Sequence, residues 1–170
     1  MKRRQAIKNI ALVSSGMVLL PTCRFEQLPT FQNFSVETDD LELLTWLTES
    51  ILPKGELEVS TPETTVQFLL TMLDDCYEPR DIQKYMTGLK LFVQFIRDEY
   101  RTSFRNLNQE QAVLLFAKVT QSDILPESLP YFLTTTKRLT VQHFTSSEYF
   151  LKNYMDFEFV PGRFLGCVRV

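Results

Sequence analysis

The chain has 170 residues, of which 44% are hydrophobic and 23% charged, with a formal net charge of −3 at pH 7. Residues 1–22 contain four of the 18 basic side chains and no acidic one, so residues 23–170 carry 14 basic against 21 acidic side chains, a net charge of −7. A domain this acidic is a poor partner for nucleic acid, whose phosphates need a basic face, and its length predicts one domain with a core of its own.

Residues 1–22 have the layout of an export signal. A positive segment containing Arg3 and Arg4 precedes an apolar run of 11 residues, Ile10 to Leu20. A membrane-spanning helix needs about 20 apolar residues, so this run is too short to be a stable anchor. The adjacent arginines, ahead of a run weakened by two serines and a glycine, favour the twin-arginine route. A general secretion signal is the alternative.

The signal ends in "LLPTC", which places Cys23 directly after the apolar run. A lipoprotein signal has this arrangement, and a lipid on Cys23 would be a route to the membrane besides the signal itself. The alternative is an ordinary cysteine in a flexible leader. Residues 23–38 have neither a helical nor a strand period and are predicted to be a tether.

Residues 39–170 are predicted to form an all-α fold, a single irregular bundle of about five to six helices. The first two helices follow the acidic pair Asp39-Asp40, which suits a helix N-terminus, and Thr61, which can cap one. Apolar stripes at helical spacing define their buried faces. These stripes are Leu41, Leu44, Leu47 and Ile51 in the first helix, and Val66, Leu69, Leu70 and Leu73 in the second.

The third helix opens at Pro79 and has the clearest helical period of the chain. Its predicted apolar face contains Ile82, Met86, Leu89, Val93, Ile96 and Tyr100. Asn108 is a good N-cap for the fourth helix. The predicted face of this fourth helix contains Ala112, Val113, Phe116 and Val119.

The fifth helix runs through "PYFLTTTKRLTVQHF" and carries Phe132, Leu139 and His143 close to one stripe. Thr145 and Glu148 have the spacing of a capping box and predict a short sixth helix through about Tyr154. The residues after it are rich in aromatic side chains, so they are predicted to form a non-helical tail that packs on the bundle.

Cysteine usage agrees with an oxidising compartment. If Cys23 is lipidated, Cys76 and Cys167 remain as an even pair, which favours a disulfide outside the cytoplasm. The alternative is two buried free thiols. No metal site is predicted, because the chain has no CxxC motif and His143 is its only histidine.

The residues that could carry chemistry do not form a catalytic pattern. His143 titrates near neutral pH, but no GxSxG motif accompanies it, so a core or interface histidine is favoured over a general base. Asp74 and Asp75 are adjacent on a helix and point about 100° apart, which favours a solvated helix end over a carboxylate pair. Gly-rich phosphate loops and CxxCH haem motifs are absent from the sequence. No catalytic, cofactor-binding or metal-binding residue is therefore predicted.

Aromatic residues near the C-terminus suggest a binding role instead. The chain has 14 phenylalanines, and Phe157, Phe159 and Phe164 lie in the predicted tail. Such side chains dominate interface energetics, so these three residues and His143 are predicted to contact a partner. The alternative is that the rings fill this domain's own core.

The order of several short motifs resembles the gluconate 2-dehydrogenase subunit 3 family. A leader with "KRR" and "LLPTC" is followed by "LTESILP", "FLLTMLDDCY", "LNQEQ", "HFTSSE" and "VPGRFLGC". The resemblance extends over nearly the whole chain, up to Cys167. It implies a small subunit without a cofactor, in the periplasm or anchored there as a lipoprotein.

The same resemblance implies the partners. An FAD-dependent catalytic subunit of the glucose-methanol-choline type would oxidise a sugar or sugar acid, and a cytochrome c subunit can take the electrons. The small subunit would carry the signal for the twin-arginine export machinery and help the catalytic subunit to fold. A free-standing exported or lipid-anchored helical binding domain is the alternative function, and an enzyme with a site around His143 is a further one.

Overall fold

The computed structural model describes residues 30–52, 61–122, 124–155, 157, 158, 160 and 162. The described residues form six α-helices and one short 3-10 turn, with no strand among them, which confirms the predicted all-α bundle. The helices are α1 (Thr38–Ile51), α2 (Thr65–Cys76), α3 (Pro79–Tyr100), α4 (Gln109–Thr120), α5 (Ser128–Thr145) and α6 (Glu148–Tyr154), and the 3-10 turn spans Phe104–Asn106.

Two helix starts differ from the prediction because other hydroxyl groups cap them. The Oγ1 atom of Thr64, not Thr61, accepts the Gln67 N–H at 3.2 Å, and the Gln67 side chain accepts the Thr64 N–H at 2.9 Å. This reciprocal pair satisfies two backbone donors at the start of α2. Thr61 instead donates its hydroxyl to the Glu63 carbonyl, so the prediction of a Thr61 cap is wrong.

The start of α6 was also misplaced. α5 continues to Thr145, whose hydroxyl donates to the carbonyl of Gln142 one turn earlier, so Thr145 cannot be the cap. Ser147 has the extended backbone that a cap requires and accepts the Phe150 N–H at 3.2 Å. The predicted Asn108 cap of α4 is confirmed, since its side chain accepts the Gln111 N–H at 2.8 Å.

α5 is the central helix and contacts α1, α2, α3, α4 and α6. The predicted stripe of α2 is buried, as are Phe132, Leu139 and His143 of α5. In α4, however, Ala112, Leu115 and Val119 are buried and Val113 is 60% exposed, so the predicted face of α4 was wrong at Val113. The buried face of this helix follows the spacing of three and four residues from Ala112.

The closest approach between helices occurs where α3 crosses α5 at Gly88. A Cβ atom added there would lie 2.1 Å from the Ser128 carbonyl oxygen and 2.6 Å from the Cβ of Phe132. Only a residue without a side chain allows the two backbones to lie this close. The aromatic rings of Tyr85 and Phe92 then contact the Phe132 ring, at centroid distances of 4.9 and 5.5 Å.

One hydrogen bond completes this contact inside the core. The hydroxyl groups of Tyr85 and Thr136 are 2.8 Å apart, and Thr136 donates its own proton to the Phe132 carbonyl. Tyr85 is therefore the donor to Thr136. Burial raises the pKa of Tyr85 far above its ordinary value, so the phenol stays protonated and keeps this bond.

We predict that Gly88→Ala destabilises the domain. Overpacking costs about 3 kcal/mol where a backbone oxygen resists displacement, and the better helix propensity of alanine offsets about 1 kcal/mol. The free energy of unfolding should therefore fall by about 2 kcal/mol, and the melting temperature by roughly 6 °C.

Gly162→Ala is the matched control, because a Cβ atom at Gly162 would meet no described atom within 4 Å. Thermal melting followed by circular dichroism compares the two variants with the parent chain. Equal melting temperatures for all three proteins would contradict the proposed close packing at Gly88.

Candidate functional site

Three of the predicted site residues lie in the described part of the chain. His143 is on α5, Cys76 ends α2, and Phe157 follows α6. The other predicted site residues lie outside the described residues, and they are Arg3, Arg4, Cys23, Phe159, Phe164 and Cys167. Cys76 is exposed, but its pairing with Cys167 stays a prediction because Cys167 is not described.

His143 is enclosed by residues of its own chain. Its side chain is only 3% exposed and lies against the Phe68 ring, at a centroid distance of 4.9 Å. Its Nδ1 atom is 3.1 Å from the Thr65 hydroxyl oxygen, and its Nε2 atom is 3.6 Å from a carboxylate oxygen of Glu63. The structure thus places His143 where α5 meets the start of α2.

The surroundings of His143 favour its neutral form. Burial lowers its pKa, and the Glu63 carboxylate offsets only part of this effect. The Nε2 atom is buried without a hydrogen-bond partner among the described residues. A hydroxyl, an imidazole and a carboxylate do lie side by side here, but the imidazole side chain is only 3% exposed, which favours a structural role.

We predict that protonation of His143 destabilises the fold. The folded pKa lies below the unfolded value of about 6.5, so the unfolded state binds the proton more tightly as pH falls. The free energy of unfolding of the parent chain should then decrease between about pH 7.5 and 5.5. His143→Gln should lack this decrease, since it removes the only histidine of the chain.

Urea unfolding of both proteins at the two pH values measures the difference. Because the chain has no second histidine, the parent and the variant differ in one titrating side chain only. A parent protein that gains stability on acidification would show that His143 binds a proton more tightly in the folded state.

The Asp74 carboxylate holds the residues before α1 against the end of α2. It accepts the backbone N–H groups of Gln32 and Asn33, both at 2.9 Å, and the side-chain amide of Asn33 at 3.0 Å. These bonds, that of Gln32 first, lower the pKa of Asp74 below its ordinary value of 3.8. Asp74 is therefore a specific acceptor, a role that its interpretation as a solvated helix end missed.

Apolar contacts support the same attachment. The Phe31 and Phe34 rings stack on each other with centroids 4.9 Å apart and pack against the core, and Val36 is buried within it. Residues 30–37 were predicted as part of a tether, and they do lack regular secondary structure. They nevertheless contribute to the folded domain, because their sequence places these apolar side chains next to the two amides that Asp74 binds.

We predict that Asp74→Asn loosens residues 30–37. The amide side chain has one acceptor oxygen and no charge, so it cannot bind both backbone N–H groups as the carboxylate does. Hydrogen exchange at the Gln32 and Asn33 amides should become faster. Since the folded pKa is depressed, the same loosening should occur in the parent chain as pH falls below about 3.8.

Asp75→Asn is the matched control, because Asp75 is an exposed carboxylate directly beside Asp74 in the chain. Hydrogen exchange followed by mass spectrometry compares the two variants. Unchanged protection of both amides in Asp74→Asn would refute the attachment.

Large apolar side chains at and after the end of α6 are exposed and lie close together in the chain. None of the α6 residues is buried, and its aromatic rings mainly contact each other and Phe144. Large apolar residues continue this exposure, with Met155 63% and Val160 74% exposed. We call Tyr154, Met155, Phe157 and Val160 the C-terminal apolar surface. Exposed patches of this kind mark interaction sites.

Between residues 30 and 162, leaving out the undescribed positions, no three His, Cys, Asp or Glu side chains are grouped so that they could hold a metal ion. No described helix is both long and apolar enough to cross a membrane.

Comparison with known proteins gives one match. The family model for gluconate 2-dehydrogenase subunit 3 matches residues 38–162, which is well over half of the chain and extends from α1 to the C-terminal apolar surface. No curated protein and no solved structure matches the chain.

Proposed function

The chain belongs to the gluconate 2-dehydrogenase subunit 3 family, and from this premise we propose that it is a non-catalytic accessory subunit of a periplasmic FAD-dependent dehydrogenase. The catalytic subunit would be of the glucose-methanol-choline type and would oxidise a sugar or a sugar acid. The chain described here would support the export, folding and assembly of that subunit.

The C-terminal apolar surface is the observation that carries this proposal. A subunit must cover part of its surface with a partner, and subunit interfaces that form permanently are more hydrophobic than ordinary protein surface. Tyr154 and Phe157 are 58% and 49% exposed, although an aromatic side chain is most stable when it is buried. Both lie within the residues that the family model matches.

Each subunit of the proposed complex has a separate role. FAD and the hydride transfer belong to the catalytic subunit, and a cytochrome c subunit is a suitable electron acceptor. This chain contributes the export signal with Arg3 and Arg4, through which the twin-arginine machinery would carry the folded pair to the periplasm. A lipid on Cys23 would keep the complex at the membrane.

Two other functions remain as alternatives. A free-standing exported or lipid-anchored helical binding domain would be stable and monomeric without any other subunit. An enzyme acting through His143 would lose activity in His143→Gln while it kept its fold. The exposure of the C-terminal apolar surface favours the accessory subunit over the first, and the enclosure of His143 disfavours the second.

We predict that replacing both Tyr154 and Phe157 with alanine weakens assembly with the catalytic subunit. Each aromatic ring that becomes buried at an interface contributes about 1 to 3 kcal/mol, so the double variant should bind at least tenfold more weakly. Co-expression with a flavoprotein of the glucose-methanol-choline type as the proposed catalytic subunit, followed by pull-down and measurement of bound FAD, tests this. The isolated variant should stay folded and helical, with only a small fall in melting temperature from the lost ring contacts of Tyr154 within α6.

Val113→Ala with Leu114→Ala is the matched control, because these two side chains are 60% and 65% exposed on α4, at a different face of the bundle. This control should retain the partner. Loss of the partner in the control alone would assign the interface to α4, and full binding by both variants would remove the support for an accessory role.

We predict that Arg3→Lys with Arg4→Lys stops export of this chain and of a partner that lacks its own signal. The twin-arginine route depends on the arginine pair, whereas general secretion accepts lysine. Immunoblots of periplasmic and cytoplasmic fractions should find both proteins in the cytoplasm. Lys8→Arg keeps the same charge away from the pair and should be exported normally, and normal periplasmic levels of the paired variant would rule out this route.

A further inference from the structure

A groove of about 630 Å³ lies between the start of α1, the second half of α3 and the 3-10 turn. Apolar side chains line part of it, among them Val93 of α3 and Phe104 of the 3-10 turn. Its two sides carry opposite charges, with acidic residues on the α1 side and basic residues on the α3 side. The groove therefore combines apolar side chains with two sides of opposite charge.

The basic side consists of Lys90, Arg97 and Arg101. Their spacing of seven and four residues places them on one face of α3 and its C-cap. All three are exposed, and none forms an ion pair with a described residue. The groove lining includes neither Asp98 nor Glu99, so no carboxylate of α3 neutralises this face.

The acidic side is already engaged in internal contacts. Asp39 pairs with Arg105 at 3.0 Å, and Asp40 accepts the Glu37 N–H at 3.2 Å at the start of α1. These carboxylates stabilise the helix N-terminus and the 3-10 turn. Lys90, Arg97 and Arg101 make no such contacts with the described carboxylates. They stand unpaired in the described part of the chain even though residues 23–170 together carry a net charge of −7 and so contain more acidic than basic side chains.

We propose that this groove binds an acidic segment of a partner protein. Carboxylates of the segment would pair with Lys90, Arg97 and Arg101, and an apolar side chain would contact the half-buried Val93. A flat anionic membrane fits less well, because Lys90, Arg97 and Arg101 line a groove, which an extended segment can enter and a flat surface cannot. The inference is independent of the proposed function, since it requires neither a flavoprotein nor the C-terminal apolar surface.

The single tryptophan of the chain provides a local probe. Trp46 is half-buried, and its ring centroid lies 6.0 Å from that of Phe104, which lines the groove. The full chain is titrated with an oligo-glutamate peptide that contains one phenylalanine, and Trp46 emission is recorded.

The peptide should change Trp46 emission saturably, and added salt should weaken binding because exposed charges are screened. Lys90→Gln with Arg97→Gln should bind roughly fivefold more weakly. Arg80→Gln with Lys137→Gln removes the same charge from exposed sites outside the groove and should bind like the parent. If the double variant Lys90→Gln with Arg97→Gln has a lowered melting temperature, the single variant Lys90→Glu is tested in its place. It should also weaken binding of the peptide.

Two further titrations are run in parallel. An oligo-lysine peptide with one phenylalanine tests whether the sign of the charge matters, and vesicles of phosphatidylglycerol test for binding to an anionic membrane. Three outcomes would overturn the proposal. These are no response to oligo-glutamate, a response to the vesicles instead of the peptide, and equal weakening of binding in the groove variant and its control.

Discussion

The bundle depends on the contact between the backbones of α3 and α5 at Gly88. The Ser128 carbonyl lies where a side chain would begin, so the two helices meet without a layer of side chains between them. This distance brings Tyr85 and Phe92 onto Phe132 and lets the Tyr85 hydroxyl reach Thr136. Since α5 also contacts α1, α2, α4 and α6, its position at this crossing sets the position of the other helices.

The same packing separates the aromatic residues into two groups. Tyr85, Phe92 and Phe132 are fully buried and stabilise the domain itself. Beyond the end of α5 the chain leaves the core, so α6 buries none of its residues and Tyr154 and Phe157 remain exposed. A chain with many phenylalanines thus has both a buried aromatic core and aromatic side chains that stay exposed.

Polar contacts hold α2 at both of its ends. Thr65, its first residue, lies within hydrogen-bond distance of His143 on α5, and Asp74, near its last residue, binds the amides of Gln32 and Asn33. His143 and Asp74, the side chains that most resembled catalytic candidates in the sequence, therefore both hold α2 in its place. Both have folded pKa values below their ordinary values, so we expect each of them to make the stability of the fold depend on pH.

The sequence by itself determined the helical class, the apolar stripe of α2, the Asn108 cap and the family, because helical periodicity, capping spacing and ordered motifs are local properties of the chain. It did not determine which face of α4 is buried, which hydroxyl caps α6, or that Asp74 binds residues 32 and 33. Val113 and Leu115 are both apolar, and only the positions of α1 and α5, against which α4 packs, decide that Leu115 is buried and Val113 is not. The role of Gly88 and the grouping of Lys90, Arg97 and Arg101 beside Phe104 likewise depend on neighbours distant in sequence, since packing and charge act between residues that only the tertiary structure brings together.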